Sequence, residues 1–170
     1  MHKATKRIAV VGAVLLCGAS LAACGSSSSS KSSSDKAAQE QKERKSANKA
    51  LAKDLAQSQG WANGTIDENG NSTSNGQPNA DYNWATHVSK VKYTKDDDLE
   101  IYLYDADKLT VDQVDEIAHR AQKSAISTLY MEHVIDSDAT KEGVYTTVYQ
   151  GNQILGHTKA LDRTTFKWDN

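Results

Sequence analysis

Four tyrosines occupy alternate positions in two segments that have the composition of β-strands. Tyr102 and Tyr104 belong to the first segment, and Tyr145 and Tyr149 belong to the second. Successive side chains of a strand point to opposite faces of a sheet, so the four phenols are expected on the face opposite the aliphatic residues between them. A tyrosine offers a large contact area and a hydrogen-bonding hydroxyl at low entropic cost. If neither strand slips in register, the tyrosines form a flat candidate binding face that suits sugar rings or a protein surface.

The alternative is that the chain covers this aromatic face itself. Trp61, Trp84 and the Leu51–Leu55 stripe are apolar and could lie over it, and tyrosine is common in strands for reasons of packing alone. The four tyrosines would then belong to a second small core. The sequence leaves both possibilities open.

The other reactive residues show no spacing that indicates catalysis or metal binding. The HExxH motif is absent, and His87, His119, His133 and His157 do not stand at ligand spacing. The run Asp96–Asp98 lacks the alternating ligands and central glycine of a calcium loop. Motifs such as GxSxG and SxxK are also missing, although Ser-His-Asp sites are recognised by geometry rather than by spacing. The sequence therefore predicts no metal and no cofactor, and it identifies no catalytic residue.

The first 23 residues have the three zones of a secretion signal. Residues 1–7 carry three basic side chains and no acid, and residues 8–19 are almost wholly apolar. This apolar run is shorter than the ~20 residues that a membrane-spanning helix needs. It is followed by Leu21-Ala22-Ala23-Cys24, which resembles the bacterial lipobox. The resemblance implies a signal peptide at 1–23, diacylglycerol on Cys24, and attachment to the outer face of the cell membrane.

Cleavage before Cys24 would change both the thiol count and the charge. Cys17 would leave with the signal and Cys24 would carry lipid, so no thiol would remain for a disulfide, a zinc site or a nucleophile. Loss of three basic residues would leave 17 basic against 22 acidic residues, a net charge of −5. Such a chain gives no electrostatic case for binding nucleic acid, and its acyl chains would have to hold it at the membrane.

Composition divides the rest of the chain into four parts. Residues 24–35 are a Ser-rich tether, similar to the tethers of surface lipoproteins of Gram-positive bacteria. Residues 36–59 favour a polar stalk helix whose last two turns contact a domain through a narrow apolar stripe. Residues 60–81 contain four of the ten glycines and the only proline, and they predict a flexible loop. A packed domain is expected over 82–170.

Apolar periodicity in this domain predicts the order β-β-α-β-β. The helix is expected from Thr110 to about Met131, where Thr110 and Gln113 have the spacing of a capping box. Strands are predicted at 86–93, with a slip that indicates a bulge, and at 99–104, 144–150 and 154–159. This order predicts a small α+β fold, with a four-stranded antiparallel sheet and one helix across a face. Residues 164–168 fit either a fifth strand or a tail against the sheet.

These features together predict a membrane-anchored extracytoplasmic lipoprotein with a small non-enzymatic binding domain. Its expected partners are the membrane, through Cys24, and a surface protein or wall glycan. A cell-envelope enzyme acting on wall polymer or peptide is the alternative, and it would need a cavity with convergent polar groups. A solute-binding component of a transporter is third, because such proteins resemble two lobes around a cleft whereas one small domain is predicted here.

Overall fold

The computed structural model describes residues 31–169, with side chains from residue 35 onward. The predicted signal peptide, Cys24 and most of the predicted tether lie outside the described residues. The last part of that tether, from Lys31, already belongs to the first helix.

The described chain is an α+β fold, as predicted, with four helices and one five-stranded sheet. The helices are α1 (Lys31–Ala62), α2 (Asn83–Thr86), α3 (Val111–Met131) and α4 (Ser137–Glu142). The strands are β1 (Val88–Tyr93), β2 (Leu99–Leu103), β3 (Thr146–Gln150), β4 (Gln153–Lys159) and β5 (Asp162–Trp168). They lie in the sheet in chain order, and every neighbouring pair is antiparallel except β2 and β3.

The predicted order of four antiparallel strands and a single helix is wrong. The sheet is mixed, because Leu99 pairs with Thr146 and Leu103 with Gln150 in parallel register. The physical reason is α3, whose 21 residues span about 32 Å at 1.5 Å per residue and return the chain to the end of the sheet where β2 began. Such a crossover is the usual link between parallel strands. Residues 164–168 belong to β5. Helix α1 includes the helix predicted at 36–59, whereas α2 and α4 are helices that the predicted order lacks.

The local signals around α3 and β1 are confirmed. The side chain of Thr110 accepts a hydrogen bond from the Gln113 backbone, and Gln113 Oε1 accepts one from Thr110 N at 2.9 Å. The expected bulge lies between Val88 and Lys90, where the register with β2 shifts. Both features arise within a few residues of the chain, and this is why the sequence contains enough information to predict them.

The hydrophobic core lies between one face of the sheet and the helices. The predicted stripe of α3 is buried there, and it packs on the inward residues of the strands, among them Val88, Ile101 and Val148. Helix α1 also contributes to this core from Ala47 to Ala62, about four turns rather than the two expected. The division of the chain at residue 82 remains a prediction, yet the core draws on residues from both sides of it.

Side-chain amides of α1 also occupy the free backbone edge of β1. Asn48 Nδ2 donates to Tyr93 O at 2.9 Å, while Tyr93 N donates to Asn48 Oδ1 at 2.8 Å. Eleven residues further along, roughly three turns on, Gln59 Nε2 donates to Val88 O at 2.9 Å. An unpaired strand edge is a template for association with other chains, so α1 shields this edge as well as covering the core.

The segment predicted as a flexible loop, residues 60–81, has internal hydrogen bonds. Ile66 and Ser72 form an isolated antiparallel bridge, and the Asp67 carboxylate accepts bonds from backbone amides within the turn. Trp61 Nε1 donates to Asp67 O at 2.9 Å, and its ring packs on Tyr82 with centroids 4.7 Å apart. These contacts place Trp61 beside its own loop.

Candidate functional site

The candidate site is the face of the sheet that points away from the core, which we call the outer face. Register pairs place its side chains in two rows that cross the strands. The tyrosine row consists of Lys90, Tyr102, Tyr149 and Ile154, and the mixed row consists of Lys92, Glu100, Thr147, His157 and Lys167. All nine side chains are exposed or half-buried, whereas the strand residues between them are mostly buried in the core.

Within residues 31–169, no helix covers the outer face. Leu51 and Leu55 are buried in the core on the opposite side, Trp84 packs against that same core, and Trp61 lies beside the 60–81 loop. These are the residues that the sequence offered as an internal cover. The tyrosines consequently face solvent in the part of the chain that the structure describes.

The tyrosine row is a stack rather than a flat patch. Tyr102 and Tyr149 are register partners on β2 and β3, with ring centroids 5.0 Å apart and planes inclined by 16°. Lys90 Nζ lies 4.1 Å from the centroid of the Tyr102 ring. Because β2 lies between β1 and β3, the Tyr102 ring has a lysine on one face and a tyrosine on the other. A sugar ring therefore has no open face of Tyr102 on which to stack.

A hydrogen-bond network fixes the Tyr102 side of the face. Glu100 Oε2 accepts from Lys92 Nζ at 2.7 Å and from the Tyr102 hydroxyl at 2.9 Å. Partial burial opposes ionisation of Glu100, but these two hydrogen bonds outweigh it and lower its pKa. Burial, followed by the hydrogen bond to Glu100 and its negative charge, raises the pKa of Tyr102 to about 12. Tyr102 is accordingly a neutral phenol whose hydroxyl donates its hydrogen bond to Glu100.

The other two tyrosines are separate from this stack. Tyr145 precedes β3 and packs on His157, with ring centroids 5.9 Å apart and planes inclined by 29°. Tyr104 follows the end of β2, is 54% exposed, and makes no ring contact with the other three among the described residues. The structure thus brings Tyr102 and Tyr149 together and pairs Tyr145 with a histidine that the sequence did not single out.

The β3–β5 side of the outer face presents polar groups that are not committed to other side chains. His157 Nδ1 lies 2.9 Å from Thr158 O, which assigns the ring proton to Nδ1 and leaves Nε2 as an acceptor in the neutral ring. The hydroxyls of Thr147 and Tyr149 have no hydrogen-bond partner within residues 31–169, and Lys167 has no carboxylate within salt-bridge distance there. The alternation of Thr147, Val148 and Tyr149 along β3 is the sequence signal for the two hydroxyls, whereas His157 stands in a run of three polar residues that shows no alternation.

The cavities of the described chain are open grooves on the helical side and at the edges of the sheet. The largest, about 980 Å³, lies between α3, α4 and β5 and includes His119 and Lys123. His119 Nδ1 lies 2.9 Å from Asp115 O and its Nε2 lies 2.8 Å from Thr164 O. The neutral ring donates to one of these carbonyl oxygens, and only the protonated ring donates to both.

Three findings bear on alternative functions. No set of three or more His, Cys, Asp or Glu side chains within residues 31–169 is arranged to hold a metal ion. Over the same residues, no helix has the length and apolar character required to cross a membrane. No protein-family model, no curated protein and no solved structure matches the chain.

Proposed function

We propose that this chain is an exported lipoprotein, held at the outer face of the cell membrane by lipid on Cys24, and that its α+β domain is a non-enzymatic binding module. The outer face would be its binding surface, and a surface protein or wall glycan its partner. The observation that carries the binding proposal is that, within residues 31–169, the helices that contact the sheet pack on its inner face or on the β1 edge. This arrangement leaves the stacked tyrosines and the lysines of the outer face without a covering helix.

The anchoring part of the proposal rests on the sequence and on the start of α1. The lipobox-like Leu21-Ala22-Ala23-Cys24 and the Ser-rich residues after it favour a lipid anchor with a tether. Residues 35–46 of α1 are almost entirely exposed and precede the part of the helix that packs on the core. At 1.5 Å per residue this stretch spans about 18 Å, so it would add a polar spacer between the membrane and the domain.

The binding module is better supported than the envelope enzyme. The outer face is broad and open, which suits contact with a large partner rather than enclosure of a small substrate.

Site-specific photocrosslinking on intact cells tests the proposed surface. A benzophenone amino acid replaces Thr147 at the centre of the outer face, and a matched variant carries it at Lys53 on the exposed side of α1. We expect envelope material to be attached at position 147 and not at position 53. Equal attachment at the two positions, or none at position 147, would contradict a binding role for the outer face.

A further inference from the structure

The outer face is basic although the chain as a whole is acidic. Three of its nine side chains are lysines and one is a carboxylate, whereas the full chain has a net charge of −2. The acidic excess of the molecule consequently lies elsewhere, in the turns and loops. A surface whose charge opposes that of the rest of the protein attracts and orients anionic partners.

Two of these lysines are available for a ligand and stand far apart. Lys92 is neutralised by Glu100 at 2.7 Å, but Lys90 on β1 and Lys167 on β5 have no carboxylate within 4.0 Å among the described residues. Four strand spacings separate β1 from β5, so the two cations lie roughly 20 Å apart. One small anion does not reach both of them, whereas a polymer with repeated anionic groups does.

Apart from the Lys92–Glu100 ion pair, the side chains between these two lysines are uncharged. Thr147 and Tyr149 contribute hydroxyls, and His157 contributes Nε2 as an acceptor. Hydroxyls that donate and accept match the hydroxyls of a sugar.

We infer that the outer face binds an anionic polysaccharide, with Lys90 and Lys167 contacting acidic groups of separate residues and Thr147, Tyr149 and His157 contacting the hydroxyls between them. This inference rests on the proposed function and specifies its ligand. A protein partner fits less well, because this face has one exposed aliphatic side chain, Ile154, and the rings of its two stacked tyrosines pack against neighbouring side chains.

Matched polymers test the assignment on the full-length protein reconstituted in nanodiscs of neutral lipid. The probes are dextran, carboxymethyl-dextran of the same length, and polyglutamate of similar charge. We expect carboxymethyl-dextran to bind, dextran to bind much more weakly, and polyglutamate to bind more weakly than carboxymethyl-dextran because it lacks sugar hydroxyls. Affinity should fall as salt is added, since exposed charge pairs are screened.

Paired charge removals locate the site. Lys90→Gln with Lys167→Gln should weaken the binding of carboxymethyl-dextran by about tenfold. Lys123→Gln with Lys141→Gln removes the same charge from the helical side and should change the affinity less than twofold. Thr147→Val should also weaken binding, with no change in the salt dependence, because it removes a hydroxyl and no charge.

Several outcomes would overturn the inference. If dextran binds as tightly as carboxymethyl-dextran, the charge of the ligand does not contribute to binding. If polyglutamate binds as tightly or more tightly, the ligand is an acidic protein instead. If the two pairs of lysine substitutions weaken the binding of carboxymethyl-dextran equally, the binding site lies elsewhere. If carboxymethyl-dextran does not bind while photocrosslinking at position 147 still attaches a partner, the inference fails and the proposed function stands.

Discussion

Gln122 is the buried polar residue whose replacement should damage the fold most selectively. It is 4% exposed, and its Nε2 lies 3.0 Å from Val144 O, 2.8 Å from Thr146 Oγ1 and 2.9 Å from Arg163 O. The Thr146 hydroxyl donates its own proton to Val144 O, so it can only accept from Gln122. The amide nitrogen has two protons for these three acceptors, so at least one proton is shared, and the side chain joins α3 to two segments of the sheet.

Gln122→Glu keeps the shape of this side chain but replaces the donor with an acceptor. Each buried acceptor left without a partner costs about 1–3 kcal/mol, and an ionised carboxylate among carbonyl oxygens costs more. We expect the free energy of unfolding to fall by roughly 3–5 kcal/mol at pH 7. The new carboxyl should have a raised pKa in the folded state, so stability should recover as the pH falls and the protonated form donates one hydrogen bond.

Urea denaturation at pH 7 and pH 4.5 measures both effects. Gln153→Glu makes the same substitution at an exposed position of β4 and should change the stability by no more than about 0.5 kcal/mol. Gln122→Met removes the donor without adding charge, so its loss should be smaller and independent of pH. A loss below about 1 kcal/mol in Gln122→Glu, or the same loss at the two pH values, would refute this account of the buried amide.

Four further predictions follow from the anchor, the core and the tyrosine row. Cys24→Ala should release the protein from the membrane fraction or leave an uncleaved precursor, and normal cleavage with unchanged retention would contradict a lipid anchor. Leu51→Ala should cost about 2–5 kcal/mol in one cooperative transition, because α1 belongs to the core. A double-mutant cycle of Tyr102→Ser and Tyr149→Ser should give a coupling of about 0.5–1.5 kcal/mol from ring stacking. Because the folded pKa of Tyr102 is about 12 and its usual value is 10.0, stability should fall between about pH 10 and pH 12, and Tyr102→Phe should lack this part of the decline.

The sequence predicted those elements whose signals are local. The capping box at Thr110, the alternation of Leu99, Ile101 and Leu103, and the bulge after Val88 each depend on residues a few positions apart. The direction of β3 depends instead on where α3 returns the chain, and hydrophobic periodicity carries no information about that. The role of α1 at the edge of β1 was missed because it depends on a polar residue, Asn48, whose partner is 45 residues away.

The candidate face was predicted only in outline for the same reason. Alternation places Tyr102 and Tyr149 on one side of their strands, but only the parallel register between β2 and β3 makes them direct neighbours whose rings stack. Tyr104 falls outside this arrangement because β2 ends at Leu103. Lys90 became part of the site through the bulge in β1, which sets its position opposite Tyr102.

The two sides of the outer face differ in how they satisfy their polar groups, and this difference bears on where a ligand would bind. Beside β1, Lys92, Glu100 and Tyr102 form a closed set of hydrogen bonds, so that side is stable in solvent without a partner. Beside β4, the side chains of Thr147 and His157 can form further hydrogen bonds, and among the described residues only solvent or a ligand is available as the partner. An uncovered face alone does not require a ligand, because the closed set shows how such a face can satisfy itself. The uncommitted groups on β3–β5 are therefore the stronger argument for binding, and substitutions there should affect ligand affinity more than stability.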